Sequence, residues 1–106
     1  MSRFLILALA CFGAQAFAAG DADSGKLKSQ ACAACHGPDG NSPPSPDFPR
    51  LAGQHHDYLL KALRDYKSGA RKNPIMAGFA QGLTDKDIEN VAAYFSTQPG
   101  VLATRY

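Results

Sequence analysis

Two cysteines and a histidine fall within five consecutive residues, Cys32-Ala33-Ala34-Cys35-His36. On an α-helix these three side chains point at about 0°, 300° and 40°, so they share an arc of about 100°. Two thiols on one face can form thioether bonds with the two vinyl groups of a single haem, and the adjacent imidazole then lies under the iron. In an exported chain this C-x-x-C-H spacing strongly indicates covalent haem attachment.

Other uses of the two cysteines would leave different traces in the sequence. A thioredoxin-type redox dithiol follows a strand and precedes an alternating sheet pattern, and neither pattern is found. A zinc site needs a second pair of ligands, for which His55 and His56 are the only candidates. A plain disulfide is common in exported proteins but leaves His36 unexplained. Haem attachment is therefore the preferred interpretation.

The first 18 residues have the organisation of a secretory signal peptide. Arg3 precedes an apolar run over 4–10, and Ala16-Phe17-Ala18 fits the small-x-small cleavage pattern. Because the run is too short for a membrane span, we expect export to the periplasm without stable membrane insertion. A lipoprotein signal ending at Cys11 is the alternative, although Leu9 lies one position too late for it. Residues 19–106 then form one small domain.

The sequence of that domain predicts an all-α fold with three main helices. Apolar residues recur at three- and four-residue steps over 21–34, over 54–68 and from Thr84 onwards. Gly37 and Gly69 end the first two helices, and Thr84-x-x-Asp87 resembles a capping box. Two irregular segments are expected between the helices. The loop over 37–53 holds five of the seven prolines, and the second segment covers 73–83.

The sixth coordination position of a haem iron can hold a protein ligand or stay open, and an open position would imply ligand binding or peroxidase chemistry. Met76, the only methionine besides the initiator, argues against an open position. A thioether suits haem iron, and His/Met ligation raises the reduction potential relative to two imidazoles. We therefore predict His36 and Met76 as the axial ligands. His55 and His56 are the competing ligands, and a core-filling role for Met76 is the other alternative.

The chain resembles class I c-type cytochromes, and within them the bacterial cytochrome c4 group. The likeness covers nearly the whole of 19–106 and includes Gly25-Lys26, Cys32 to Gly40, Asn41-Ser42-Pro43, Phe48 to Gln54, Tyr58-Leu59, Met76, and Ile88 to Phe95. It implies a small class I cytochrome c fold, with three main helices around one covalent haem c. Members of that group usually have two domains and two haems, whereas this sequence has one motif, so it looks like a single-domain, monohaem relative.

The resemblance also implies roles for two further residues. The first and last helices should cross closely, with Gly25 allowing the approach and Tyr94 or Phe95 packing there. The backbone carbonyl of Pro49 should accept the second imidazole N–H of His36, which fixes the ring and raises its basicity.

The resulting expectation is a periplasmic single-electron carrier rather than an enzyme, serving a respiratory chain. Its partners would be redox proteins such as a membrane oxidase or dehydrogenase, and it would be a monomer or weak dimer. The alternative is a haem c subunit of a larger oxidoreductase complex. A net charge of +2 gives no indication of nucleic-acid binding. A set of cations could steer an acidic partner or simply be a solvated helix face: Lys61, Arg64, Lys67, Arg71 and Lys72.

Overall fold

The computed structural model describes residues 20–103, in which all regular secondary structure is helical and no strand is found. The helices are α1 (Ala22–Lys28), α2 (Ala33–His36), α3 (His56–Ser68), α4 (Pro74–Gln81) and α5 (Asp85–Thr97). A 3₁₀ turn (Ser29–Cys32) joins α1 to α2. The all-α prediction is confirmed. The expected signal peptide (1–18) lies outside the described residues.

The first helical segment is less regular than the sequence predicted. Asp21 caps α1 by accepting hydrogen bonds from the N–H groups of Asp23 and Ser24. The single helix expected over 21–34 is instead α1, the 3₁₀ turn and α2 in succession. At the junction, the hydroxyl of Ser29 donates to the carbonyl of Lys26 at 2.9 Å, and such side-chain bonds compete with regular α-helical hydrogen bonding. The segment ends where expected, because Gly37 follows His36 with a φ of 85°.

The segment around Met76 was predicted wrongly as irregular, because it is the helix α4. Asn73 is its N-cap, and the side-chain oxygen accepts hydrogen bonds from the N–H groups of Ile75 and Met76. Pro74 occupies the first turn, where a missing N–H costs nothing. The pair Asn73-Pro74 is therefore the start of a helix, although it is also typical of a turn.

The core lies where α3 and α5 meet. Its buried members are Leu59, Val91, Ala92, Tyr94 and Phe95. The capping box predicted at the start of α5 is present, with Thr84 and Asp87 bonding each other's backbone N–H groups. Residues 37–55 form the loop that leads from α2 to α3, two residues longer than predicted.

Helices α1 and α5 cross closely at Gly25, as expected. A Cβ atom at Gly25 would lie 1.9 Å from the carbonyl oxygen of Asn90 and 2.9 Å from the Cβ of Tyr94. The first of these atoms is backbone, so no side-chain rotation can make room. Only glycine allows this crossing.

Replacing Gly25 with valine should therefore destabilise the protein by about 3 kcal/mol, at the upper end of what overpacking usually costs. Denaturant unfolding of the haem-loaded protein would measure the loss. Gly78→Ala is the matched control, because a Cβ there meets no atom within 4 Å. That variant should gain up to about 1 kcal/mol from helix propensity. Equal stability for Gly25→Val and wild type would contradict the close crossing.

Within residues 20–103, no helix combines the length and apolar character needed to cross a membrane.

Candidate functional site

One cavity of about 390 Å³ brings together the five residues that the sequence and the resemblance singled out. Its wall includes Cys32, Cys35, His36, Pro49 and Met76. These come from the 3₁₀ turn, α2, the proline-rich loop and α4, so most of the chain contributes to one site. The rest of the wall is mainly apolar or aromatic and includes Phe48, Leu51, Leu59, Leu63, Val91 and Phe95.

The imidazole of His36 is buried and fixed in orientation. Only 7% of the residue is exposed. Its Nδ1 lies 2.8 Å from the carbonyl oxygen of Pro49, and because a carbonyl can only accept, Nδ1 carries the proton. The lone pair of the neutral ring is then on Nε2. The ring of Phe48 lies edge-on, with centroids 6.5 Å apart.

The two cysteines are half-buried thiols that are not joined in a disulfide. Burial raises the pKa of the Cys32 thiol, and the neighbouring Cys35 raises it further. Redox dithiols need a lowered pKa at the attacking cysteine, so this environment disfavours a thioredoxin-type function. Within residues 20–103, no three His, Cys, Asp or Glu side chains converge as metal ligands would. The zinc alternative therefore gains no support.

Met76 is half-buried on α4 and lines the same cavity as His36. Its helix also presents Ile75 and Phe79 to the cavity, and these are 60% and 47% exposed. Neither His55 nor His56, the competing ligands, lies on the cavity wall. Of the proposed sixth ligands, the structure places only Met76 at the site.

An arginine and two tyrosines on the cavity wall were missed as site residues by sequence reasoning. The guanidinium carbon of Arg71 lies 4.7 Å from the ring centroid of Tyr66, and its Nη1 donates to the hydroxyl of Tyr58 at 3.4 Å. That hydrogen bond raises the pKa of Arg71, so the group is a permanent cation. Tyr58 and Tyr66 are eight residues apart on α3, a spacing that places them on one face.

The cations considered as a docking surface have different surroundings in the structure. Lys61 pairs with Asp65, and Arg64 donates to both carboxylate oxygens of Asp85 at 3.0 and 3.2 Å. The ammonium group of Lys67 donates to the carbonyl of Leu83. Three of the five cations are thus already engaged by groups of the protein itself.

The residues present fit a c-type haem. Thiols for two thioether bonds, an imidazole with its lone pair on Nε2 and a soft thioether all line one apolar cavity. Apolar and aromatic walls suit a flat macrocycle, and they would keep water away from most of a bound one.

Comparison with known proteins gives the family directly. The sequence pattern of the family described as cytochrome c matches residues 13–99. The chain is 47% identical to cytochrome c4 of Stutzerimonas stutzeri, over 94% of this chain and 52% of that protein. It is 45% identical to cytochrome c-554(548) of Halomonas halodenitrificans, over 76% of this chain and 99% of that protein. A thiosulfate dehydrogenase electron acceptor of Stutzerimonas stutzeri is 46% identical over 65% of this chain and 32% of its own length.

A solved structure agrees with the sequence comparisons. The crystal structure of reduced recombinant cytochrome c4 from Pseudomonas stutzeri matches with a TM-score of 0.72 and 49% identity, covering 77% of this chain and 47% of that one. The chain spans about half the length of the curated cytochrome c4 proteins that it matches. The chain therefore belongs to the cytochrome c family, as a class I c-type cytochrome of the cytochrome c4 group.

Proposed function

We propose that this chain is a periplasmic single-electron carrier that holds one haem c through thioether bonds to Cys32 and Cys35. The observation that carries the proposal is the shared cavity, whose wall includes both cysteines, His36 and Met76. Four groups of the types that haem c requires come from two separate segments of the chain, the C-x-x-C-H motif and α4, and converge on one apolar space.

His36 and Met76 are the axial ligands in this proposal. The hydrogen bond from Nδ1 of His36 to the carbonyl of Pro49 leaves the lone pair on Nε2 and fixes the plane of the ring. A partner of this kind also raises the basicity of a ligating imidazole. Met76 supplies the thioether, which raises the reduction potential relative to a second imidazole.

When bound, haem c supplies an iron that gains and loses one electron. The chain's contribution is to keep the ligand positions constant in both states. His36 is buried and hydrogen-bonded, and Met76 is held on a capped helix. The apolar wall excludes water, and this burial tunes the potential.

The proposal includes one haem because the sequence contains one C-x-x-C-H motif. Export is supported by the basic start, apolar run and Ala16-Phe17-Ala18 of the first 18 residues. A respiratory chain is the proposed pathway, with membrane or periplasmic redox proteins as partners. No stable membrane insertion is proposed, and the protein would act as a monomer or weak dimer.

The second candidate function is that of a haem c subunit, or dedicated electron acceptor, of a larger oxidoreductase. The name of one relative, a thiosulfate dehydrogenase electron acceptor, favours it. Stable co-purification with a catalytic subunit would distinguish this function from that of a freely diffusing carrier.

The intact mass of the exported protein tests the proposal. We expect the mass of the polypeptide cleaved after Ala18 plus one haem, together with a reduced-minus-oxidised spectrum of c type. The same measurement gives the haem count and the cleavage site. A colourless product with the mass of its amino acids alone would reject the proposal.

A further inference from the structure

Two cations lie on the wall of the otherwise mainly apolar cavity. Of the lysines and arginines in residues 20–103, only Arg50 and Arg71 line it. The one acidic residue on the wall is Asp47. Its carboxylate accepts a hydrogen bond from the hydroxyl of Ser45 at 3.3 Å. Haem c carries two propionate carboxylates, and a carboxylate placed against an apolar wall is costly unless a cation or hydrogen-bond donors meet it.

Arg71 is held in place by its neighbours but is not neutralised by them. Its guanidinium stacks over Tyr66 at 4.7 Å and gives one hydrogen bond to Tyr58. It forms no ion pair with any carboxylate among the described residues. A guanidinium has five N–H donors, so most of them remain available.

Tyr58 adds a second kind of donor at the same place. Its hydroxyl accepts the hydrogen bond from Arg71, and its own proton remains to be donated. A guanidinium with a phenol beside it matches the two oxygens of a carboxylate, to which arginine binds as a planar fork.

We propose that Arg71, positioned by Tyr66 and assisted by Tyr58, binds a propionate carboxylate of the haem. The inference rests on the proposed function, because it requires a haem in the cavity. Arg50 is the rival, since it also lines the cavity. It makes no hydrogen bond or ion pair within residues 20–103, so nothing positions its guanidinium in advance. A side chain already held in its binding geometry loses less entropy when it binds.

A cation next to the propionate has two consequences of known sign. It stabilises the ionised carboxylate and so lowers the pKa of the propionic acid. It also disfavours the extra positive charge of the ferric state and so raises the reduction potential. Removing the cation should reverse both effects.

The test compares haem-loaded variants of the full chain in which Arg71, Arg50 or Lys72 is replaced by glutamine. Lys72 is the matched control, because it carries the same charge next to Arg71 but does not line the cavity. For Arg71→Gln we expect a lower reduction potential, a pH dependence of that potential shifted to higher pH, and a displaced carboxylate band in the redox infrared difference spectrum. Lys72→Gln should leave the carboxylate band unmoved.

The inference is overturned if the band and the pH profile of Arg71→Gln match wild type, if only Arg50→Gln moves them, or if Lys72→Gln moves them equally. Should Arg71→Gln fail to accumulate with haem, Arg71→Lys replaces it. It keeps the charge but loses the planar fork, so the band should still move, and an unmoved band overturns the inference. All variants are compared at equal haem content. A wild-type protein without haem would reject the proposed function itself, so that failure is distinguishable from a failure of this inference.

Discussion

Replacing both Cys32 and Cys35 with alanine is expected to convert a haem that survives unfolding into one that unfolding releases. In the proposed arrangement the thioether bonds are the only covalent links between the haem and the chain. Simultaneous axial ligation by His36 and Met76 depends on the folded structure, because the two residues are forty positions apart in the sequence. Unfolding therefore breaks the ligation but leaves thioethers intact.

Haem staining of the exported protein after denaturing electrophoresis would measure this. The wild-type band should stain, the double variant should not, and each single variant should stain through its remaining link, at reduced yield. Ala34→Ser is the matched control, since Ala34 is exposed between the two cysteines and does not line the cavity. Staining of the denatured double variant would show that the haem is attached elsewhere.

The helices were predictable from sequence wherever apolar periodicity or a cap marked them. The helix α5 follows its capping box and its buried face of Ile88, Val91, Ala92 and Phe95. The helix α4 was missed because Asn73-Pro74 has two structural meanings, a turn or an N-cap followed by a first-turn proline. In the structure α4 forms as a helix and packs against α3. No local sequence pattern encodes such tertiary contacts.

The residues of the candidate site were likewise predictable only where a local pattern or their chemistry marked them. Cys32, Cys35 and His36 are close in sequence, so their shared face follows from helix geometry alone. Met76 could be selected from its chemistry as the one remaining methionine. Arg71 could not be found this way, because it lies beyond the end of α3, where helical periodicity no longer places side chains. Sequence spacing suggested a solvated or docking surface, whereas the fold directs this cation towards Tyr58 and Tyr66.

Replacing Met76 with alanine is expected to keep the haem attached while opening the sixth coordination position. Loss of the thioether removes the ligand that favours the ferrous state, so the reduction potential should fall by about 0.1 V or more, within the roughly 0.8 V range that axial ligands span. The ferrous variant should also bind carbon monoxide at neutral pH, which the wild type should resist. Spectroelectrochemistry and carbon monoxide difference spectra would measure the two effects.

Ile75→Ala is the matched control for this experiment. It shortens a side chain on the same helix and on the same cavity wall, yet removes no candidate ligand. If opening the cavity to water were sufficient, both variants would change in the same way, because Ile75 and Met76 both line it. Ligation by Met76 predicts instead that only Met76→Ala binds carbon monoxide. An unchanged spectrum and potential in Met76→Ala would exclude the thioether as the sixth ligand, and no other residue considered for that position lies on the cavity wall.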